Sequence, residues 1–368
     1  MTVTEPDFLA RLAVHFRYFA RSECDRTAPL YAALSIRAAG DPEILGLLAH
    51  AAPREARPTL LFAAVHFLVL AEPASELASF YPSVTGRPVP AGDAYPVFRQ
   101  FCLDRHDELV ALLSTRMTQT NEVNRCVALR AALGAAVADL PDQPVALLEV
   151  GTSAGLNLGF DRYELPGRFG PAGSPVQLDC DVLGAIAPPF EPALPPLSWR
   201  AGLDRSPIRV ADDAEIRWLE ACLWPEQVER VARFRAAVAL ARADPPTLVT
   251  GDMVDDLARA ASTAPADAHL VLWHSWVMTY LPRERRPDFA AAVADLAAGG
   301  RSVTWLSAEG PGVLDDLAAP PLDADASDEL RVATLLGIQR FRRGAAGDRV
   351  LLGRCHPHLR WLEWLRPA

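Results

Sequence analysis

The residues best suited to chemistry in this chain stand around a glycine-rich turn. Glu149 closes an apolar run that starts at Val145, and Gly151, Ser153 and Gly155 follow it at alternate positions. A strand that passes through such a turn into a helix brings backbone N–H groups and a helix N-terminus beside a ligand at the strand tip. This pattern favours a nucleotide-like ligand, and the acidic residue suits a cation or the hydroxyls of a ribose.

The same five residues, 151–155, also spell G-x-S-x-G, the turn that carries a nucleophilic serine in α/β-hydrolases. A nucleophilic Ser153 needs a histidine base, and His274 and His356 are available downstream. The residues before the turn have a helical pattern, whereas such a turn normally follows several strands. A serine hydrolase is therefore the alternative hypothesis.

Other polar residues are placed where they could reach a ligand. Asn157 lies in the first turn after the glycines, where it could bind ligand or cap the turn. His274 ends a predicted strand and could take a proton from a substrate there. Asn121, Asn124 and Arg125 are expected on one helix face, where they could grip a carboxylate or phosphate or could simply form a solvated or interdomain face.

No metal site is predicted. Cys355-His356-Pro-His358 would place alternate side chains on one side of a strand, but no second ligand cluster accompanies it. The 6 cysteines are scattered without a C-x-x-C pair, which is typical of free thiols in a reducing compartment.

Net charge and hydropathy indicate which classes of partner the protein can have. The chain has 368 residues and a net charge of −10, and it has no basic stripe, so a nucleic-acid partner is disfavoured. The first residues show no basic segment followed by an apolar run, so no secretory signal is expected, and the longest apolar run, 59–71, is too short to span a bilayer. We expect a cytoplasmic protein that acts on a small molecule.

Hydrophobic periodicity divides the chain in two. Residues 1–140 have a helical pattern and predict an all-helical N-terminal domain. From 145 to 368 strands alternate with helices, with an insertion at about 164–196. Alternation of this kind predicts an α/β fold with a Rossmann-like, doubly wound, mostly parallel sheet. The predicted strands are 145–150, 197–203, 247–251, 269–274, 301–307 and the pair 333–340 with 349–358. The predicted helices between them are 155–163, 213–242, 253–262 and 285–298, and the insertion is expected to contain a small hairpin near 176–179.

The C-terminal half resembles class I S-adenosylmethionine-dependent methyltransferases. In that family the first strand ends in acidic-x-Gly-x-Gly-x-Gly, and here the corresponding segment is 149–155 with serine in place of the middle glycine. The second strand of the family ends in an acidic residue, matched by Asp204, with Asp179 as the alternative if the second strand lies earlier. The segment after the third strand is matched by Asp252 and Met253.

The resemblance implies a binding mode for S-adenosylmethionine. Gly151, Thr152, Ser153 and Gly155 would let the backbone approach the methionine part, with Asn157 beside them. Glu149 would face the ammonium through water or neighbouring backbone. Asp204 would hold the ribose, and Asp252 with Met253 the adenine. His274, Arg125 and Asn121 would be the groups around a small-molecule O or N acceptor. A methyltransferase-like module that binds without turnover is a further alternative.

The whole chain is also identified as a member of an uncharacterised bacterial family, domain of unknown function 2332. The segments that carry this resemblance are 60–66, 119–122 with Arg125 and Cys126, the Gly151 turn, and 224–227. This family implies no activity, so the chemistry depends on the residues.

Overall fold

The boundary between the helical and the sheet parts of the chain lies at Asn121, whereas the hydrophobic pattern predicts it at 140. The computed structural model describes residues 6–24, 27–140, 142–191, 194–298, 300–314, 316–317, 328–342 and 345–366. Contacts divide the chain into a helical unit, 1–120 with 211–235, and a sheet unit, 121–210 with 236–368.

The described α-helices are α1 Pro6–Ser22, α2 Pro29–Ala38, α3 Pro42–Leu47, α4 Pro58–Ala71, α5 Pro82–Thr85, α6 Tyr95–Asp104, α7 His106–Thr115, α8 Cys126–Val137, α9 Asp213–Ala221, α10 Val228–Ala243, α11 Leu257–Ala261, α12 Arg286–Asp295 and α13 Asp328–Arg331. Short 3-10 helices cover Leu48–His50, Leu77–Phe80, Val123–Arg125, Leu156–Arg162 and Arg283–Arg285. None of the helices in the described ranges is long and apolar enough to cross a membrane.

Local sequence explains where several helices begin. Asp41 caps α3 by accepting the backbone N–H groups of Glu43 and Ile44, and proline occupies the first helical position. Asp212 caps α9 in the same way. Helix α4 is apolar on almost every side and lies inside the helical unit, where Phe62 stacks on Tyr31.

Within the residues that the structure describes, the sheet has nine strands, in the order β2-β9-β8-β7-β6-β5-β1-β3-β4. The strands are β1 Val145–Val150, β2 Asp181–Leu183, β3 Leu197–Asp204, β4 Leu248–Thr250, β5 His269–Ser275, β6 Val303–Glu309, β7 Thr334–Arg342, β8 Ala345–Cys355 and β9 Trp361–Trp364. Strands β4, β3, β1, β5 and β6 run parallel, whereas β7, β8 and β9 each pair antiparallel with the strand before them. The fold is therefore α/β with a large, mostly parallel sheet.

Both faces of the central strands are covered. All six residues of β1 are buried, as expected of a strand between two helical layers. On one face, Leu148 and Val150 pack with Phe289 of α12 and with residues of α11. On the other face lie the 3-10 helix Leu156–Arg162 and α8, which packs on β5, β6 and β7.

The domain boundaries differ from the predicted division at 140. Helix α8 is apolar except for Arg130, is buried over most of its length and packs on the sheet, so residues 121–140 belong to the sheet unit. Trp218 of α9 lies in the core of the helical unit against Phe67, so residues 211–235 belong there despite following β3. Long-range packing decides both assignments, and local periodicity contains no trace of it.

Several predicted elements also differ in detail. The helix expected over 213–242 is two helices, α9 and α10, separated by a segment that contains Pro225, which cannot continue a helix. The helix expected over 155–163 is a 3-10 helix. The hairpin expected near 176–179 is instead a bridge of Gln177 with Glu164, and β2 pairs with β9 at the edge of the sheet.

Candidate functional site

The order of the parallel strands reverses at β1, and we call the space outside the carboxyl ends of the strands at that point the crevice. From β1 the chain moves outward to β3 and β4 and then crosses to β5 on the other side of β1. Open α/β sheets bind ligands at such a reversal, outside the carboxyl ends of the strands. The tips of β1 and β5 meet there, and so do the turn 151–155 and the segment after Ser275.

The turn carries three residues with left-handed backbone: Gly151 (φ 72°), Ser153 (φ 52°) and Gly155 (φ 69°). A side chain at Gly151 is excluded because its Cβ would lie 2.1 Å from Cγ2 of Val277. The absence of a side chain at Gly151 leaves room for the side chain of Val277. Ser153 stands where the class I methyltransferase pattern has its middle glycine, and it adopts a conformation that glycine takes more readily.

Glu149 lies inside the protein and holds the turn together. Its two carboxylate oxygens accept hydrogen bonds from Thr152 Oγ1 (2.6 Å) and Asn157 Nδ2 (3.1 Å). Burial raises the pKa of Glu149 to about 7 against these two hydrogen bonds, with Asp204 raising it further and Arg125 lowering it. Glu149 is 4% exposed, so it shapes the turn and does not itself face a ligand at the surface.

Asp204 ends β3, the parallel neighbour of β1, and is half-buried at the mouth of the crevice. Its Oδ2 accepts the backbone N–H of Ser153 (2.9 Å) and its Oδ1 that of Ser206 (2.9 Å). Each oxygen keeps a second lone pair. Of the two acidic residues considered for the end of the second strand, the structure places Asp204 there. Asp179 precedes β2 at the far side of the sheet.

Asp252 and Met253 follow β4 and lie half-buried. Asp252 accepts Arg205 Nη2 (2.5 Å) and the N–H groups of Val254 (2.9 Å) and Asp255 (3.3 Å). Burial alone would raise the pKa of Asp252, but these donors outweigh it and hold the pKa below its ordinary value. A ligand here would meet a carboxylate already engaged in an ion pair.

Arg125 lies at the tip of β5. Its Nη1 is 3.4 Å from the carbonyl oxygen of Ser275 and its Nε is 3.3 Å from that of Pro357. Asn121 is 6% exposed, and no described residue bonds its Nδ2. The predicted common helix face is wrong, because a 3-10 turn, Val123–Arg125, precedes α8.

Asn124 has a structural role. Its Nδ2 donates to the carbonyl of Leu359 (2.9 Å) and to that of Asp179, and its Oδ1 accepts the N–H of Asp179 (3.0 Å). This side chain ties the segment before α8 to two loops of the sheet unit.

The structure removes His274 as an acid–base group of the crevice. In the parallel register His274 pairs with Val150, and Glu149 with Trp273, so His274 and Glu149 point to opposite faces. His274 is 0% exposed and packs against Phe289. The apolar run before it predicted the strand correctly, but only the register decides which face a terminal residue takes.

Glu309 was missed by the sequence reasoning. It ends β6, is 1% exposed, and its Oε1 lies 2.7 Å from His274 Nδ1. The same oxygen accepts the N–H groups of Val277 (2.9 Å) and Met278 (3.2 Å). An acidic residue that closes a run of apolar strand residues was the available signal, as it was for Glu149.

The alternative hypotheses fare differently. The buried His274 cannot activate Ser153, so the hydrolase hypothesis loses its first proposed base. His356 Nε2 lies 3.1 Å from Arg360 Nε. Within the described ranges, no group of three or more His, Cys, Asp or Glu side chains could hold a metal.

The fit of S-adenosylmethionine is partial. Gly151 is exposed, and Ser153 and Asp204 are half-exposed along the mouth. Against this, the N–H groups of Gly151 and Ser153 are already bonded to Leu203 O and Asp204, and Val277 fills the space next to Gly151. Asp204, which would hold a ribose, lies at the mouth, whereas Val277 covers the Gly151 backbone that the methionine part would approach.

Comparisons with known proteins give a family and no activity. The profile of the family described as "Uncharacterized protein conserved in bacteria (DUF2332)" matches residues 13–364. None of the curated proteins matches the chain. Among solved structures, Streptomyces venezuelae DesVI is similar at 15% identity over 60% of this chain and 76% of that chain, with a TM-score of 0.23. So low a TM-score carries no argument about function.

Proposed function

The chain belongs to the DUF2332 family of uncharacterised bacterial proteins, and we propose that this member binds S-adenosylmethionine at the tips of β1 and β3 and transfers its methyl group to a small-molecule O or N acceptor. The observation that carries the proposal is the strand reversal at β1, with Asp204 bonded to the Ser153 N–H beside it. The proposal takes the parallel part of the sheet, β4-β3-β1-β5-β6, as the counterpart of the doubly wound sheet of class I methyltransferases.

The proposed cofactor supplies an activated methyl group and its own leaving group, so the protein has mainly to bind and align the reactants. Asp204 would accept the ribose hydroxyls with its free lone pairs, and Asp252 with Met253 would border the adenine. Arg125 stands at the β5 side, and Arg125 and Asn121 would contact the acceptor. His274 is buried on the opposite face and would not take a proton from the acceptor. Water would take this proton, or the acceptor would be one that loses no proton on methylation.

Isothermal titration with S-adenosylhomocysteine tests the binding. We expect Asp204→Asn to weaken affinity about tenfold to a hundredfold, since a hydrogen bond to a charged acceptor contributes about 1.5–3 kcal/mol. Asp295→Asn, on the exposed side of α12, is the matched control and should bind like the wild type. Equal affinity of the Asp204→Asn variant would contradict the ribose role, and no binding to the wild type at millimolar ligand would end the cofactor proposal.

Binding without turnover is a second candidate, favoured by the burial of His274 and by the Val277 side chain over Gly151. Methyl-labelled S-adenosylmethionine, incubated with pools of small amines, carboxylates and phenols, separates the two. Label transferred to any acceptor supports the enzyme. Tight binding with the label retained on the cofactor supports the binding module.

A further inference from the structure

The segment that follows β5, residues 276–278, lies on the turn at the tip of β1. Val277 is the residue that occupies the space beside Gly151, with its Cγ2 2.1 Å and its Cγ1 3.1 Å from the position of a Cβ there. Any ligand group that approaches the Gly151 backbone from this side needs the volume that the Val277 side chain fills.

A single buried oxygen fixes this segment. Glu309 Oε1 accepts the backbone N–H groups of Val277 and Met278 and lies 2.7 Å from His274 Nδ1. A carboxylate that accepts several N–H donors at once binds more strongly than a neutral acceptor. Glu309 and His274 both sit in the core, so water does not compete for these contacts.

The backbone of the segment is held in an uncommon conformation. Trp276 has φ 58°, in the left-handed region that costs a non-glycine residue about 1–2 kcal/mol. Two contacts keep it there, because its N–H donates to Ala308 O (2.9 Å) and its Nε1 to Thr334 Oγ1 (2.9 Å). A strained residue persists only where its surroundings impose it.

The part of the core around Glu309 contains polar atoms without a described hydrogen-bond partner. Glu309 Oε2, His274 Nε2 and Ser307 Oγ are buried and have no partner among the residues that the structure describes. Ser307 is the in-register neighbour of His274 on β6 and points to the same face. These atoms lie beside Glu309 Oε1, which holds the segment that covers the candidate site.

We propose that residues 276–278 form a gate over the Gly151 turn, that Glu309, supported by His274, holds the gate closed, and that the amino-acid part of the bound cofactor enters by displacing Val277. The inference rests on the proposed function for the identity of the ligand. Glu309 and His274 are positioning residues in this account, since they touch the gate and not the ligand. The unpaired atoms allow Glu309 to exchange partners when Val277 and Met278 move.

Trimming the gate tests the ligand side. Val277→Ala should bind S-adenosylhomocysteine about tenfold more tightly than the wild type, because a site that is closed most of the time binds with an affinity reduced by its open fraction. Val313→Ala, also a half-buried valine at the border of the same core, should leave affinity unchanged. Equal or weaker binding by Val277→Ala than by a wild type that does bind would overturn the gate.

Releasing the anchor tests the gate without any ligand. Hydrogen–deuterium exchange, measured by mass spectrometry on peptides that cover 276–281, should be about tenfold faster in Glu309→Gln, which keeps the shape of the side chain but loses its charge. Glu284→Gln, at an exposed glutamate, is the control. An unchanged rate in Glu309→Gln would overturn the anchoring role. Faster exchange without S-adenosylhomocysteine binding by wild type or Val277→Ala would keep the anchor and reject the proposed cofactor.

Discussion

The helical unit and the sheet unit each bury a histidine completely, and the two are satisfied in different ways. His66 of α4 places Nδ1 3.1 Å from the carbonyl oxygens of Ala221 and Leu223, and its Nε2 2.8 Å from Ser83 Oγ. His274 of β5 bonds Glu309 through Nδ1, and its Nε2 has no partner in the described part of the chain.

The difference separates a closed network from an open one. The carbonyl partners fix the proton of His66 on Nδ1, so that Nε2 accepts the Ser83 hydroxyl and both ring nitrogens are used. Burial lowers the pKa of His66 to about 4, although the carbonyls oppose this. Because both ring nitrogens of His66 are hydrogen-bonded, this network holds the ring in one orientation and one tautomer. The His274 network retains capacity and stands under a segment that covers the candidate site.

The largest loss of stability is expected at Glu309, since one of its oxygens accepts several N–H donors. Glu309→Ala should lower the free energy of unfolding by about 3–5 kcal/mol, because it leaves the buried His274 and two N–H groups without their acceptor. Denaturant titration measures the loss. A cost below about 1 kcal/mol would mean that the contacts of Glu309 are weak and that the comparison with the His66 network fails.

Protonation should act in opposite directions in the two units. The pKa of His66 is near the ordinary histidine value of 6.5 in the unfolded chain and near 4 in the folded chain, so this group makes stability rise as pH rises from about 4 to 6.5. Folded Glu149 keeps its proton up to about pH 7, whereas the unfolded group loses it near 4.5, so it makes stability fall from about pH 4.5 to 7. Each contribution is at most about 3.5 kcal/mol, since each shift is about 2.5 pKa units and one unit corresponds to about 1.4 kcal/mol.

Single variants separate the two contributions. Relative to the wild type, His66→Gln should flatten the rise with pH, and Glu149→Gln should raise stability at pH values above about 7. Denaturant titrations across this pH range provide the comparison. If the two variants change the pH profile in the same direction, at least one of the two burial effects is assigned with the wrong sign.

The smallest effects compare two buried serines. Ser83→Ala should cost about 1–3 kcal/mol because it leaves His66 Nε2 unpaired. Ser307→Ala removes a hydroxyl that has no described partner, and its effect should lie within about 0.5 kcal/mol of zero. Parallel unfolding curves of the two variants measure the difference. A substantial cost for Ser307→Ala would indicate that Ser307 bonds a buried water, which would close the network around His274.

Parts of this site followed from the sequence. The uninterrupted apolar run before Glu149 predicted β1 with its observed limits, and the acidic residue after it predicted the tip. The choice of Asp204 over Asp179 for the end of the second strand agrees with the structure, since Asp204 ends β3 beside β1. These predictions succeeded because strand length, turn chemistry and terminal residues are local properties.

The sequence by itself determined the family, the α/β class, the glycine turn at 151–155 and the order of the parallel strands along the chain. Tertiary structure alone decided that Val277 lies against Gly151, that His274 faces away from Glu149, and that Glu309 accepts the N–H groups of Val277 and Met278. The reason is physical. Periodicity records how each residue is placed within its own element, whereas the register of neighbouring strands and the course of the loops depend on contacts between residues far apart in the chain.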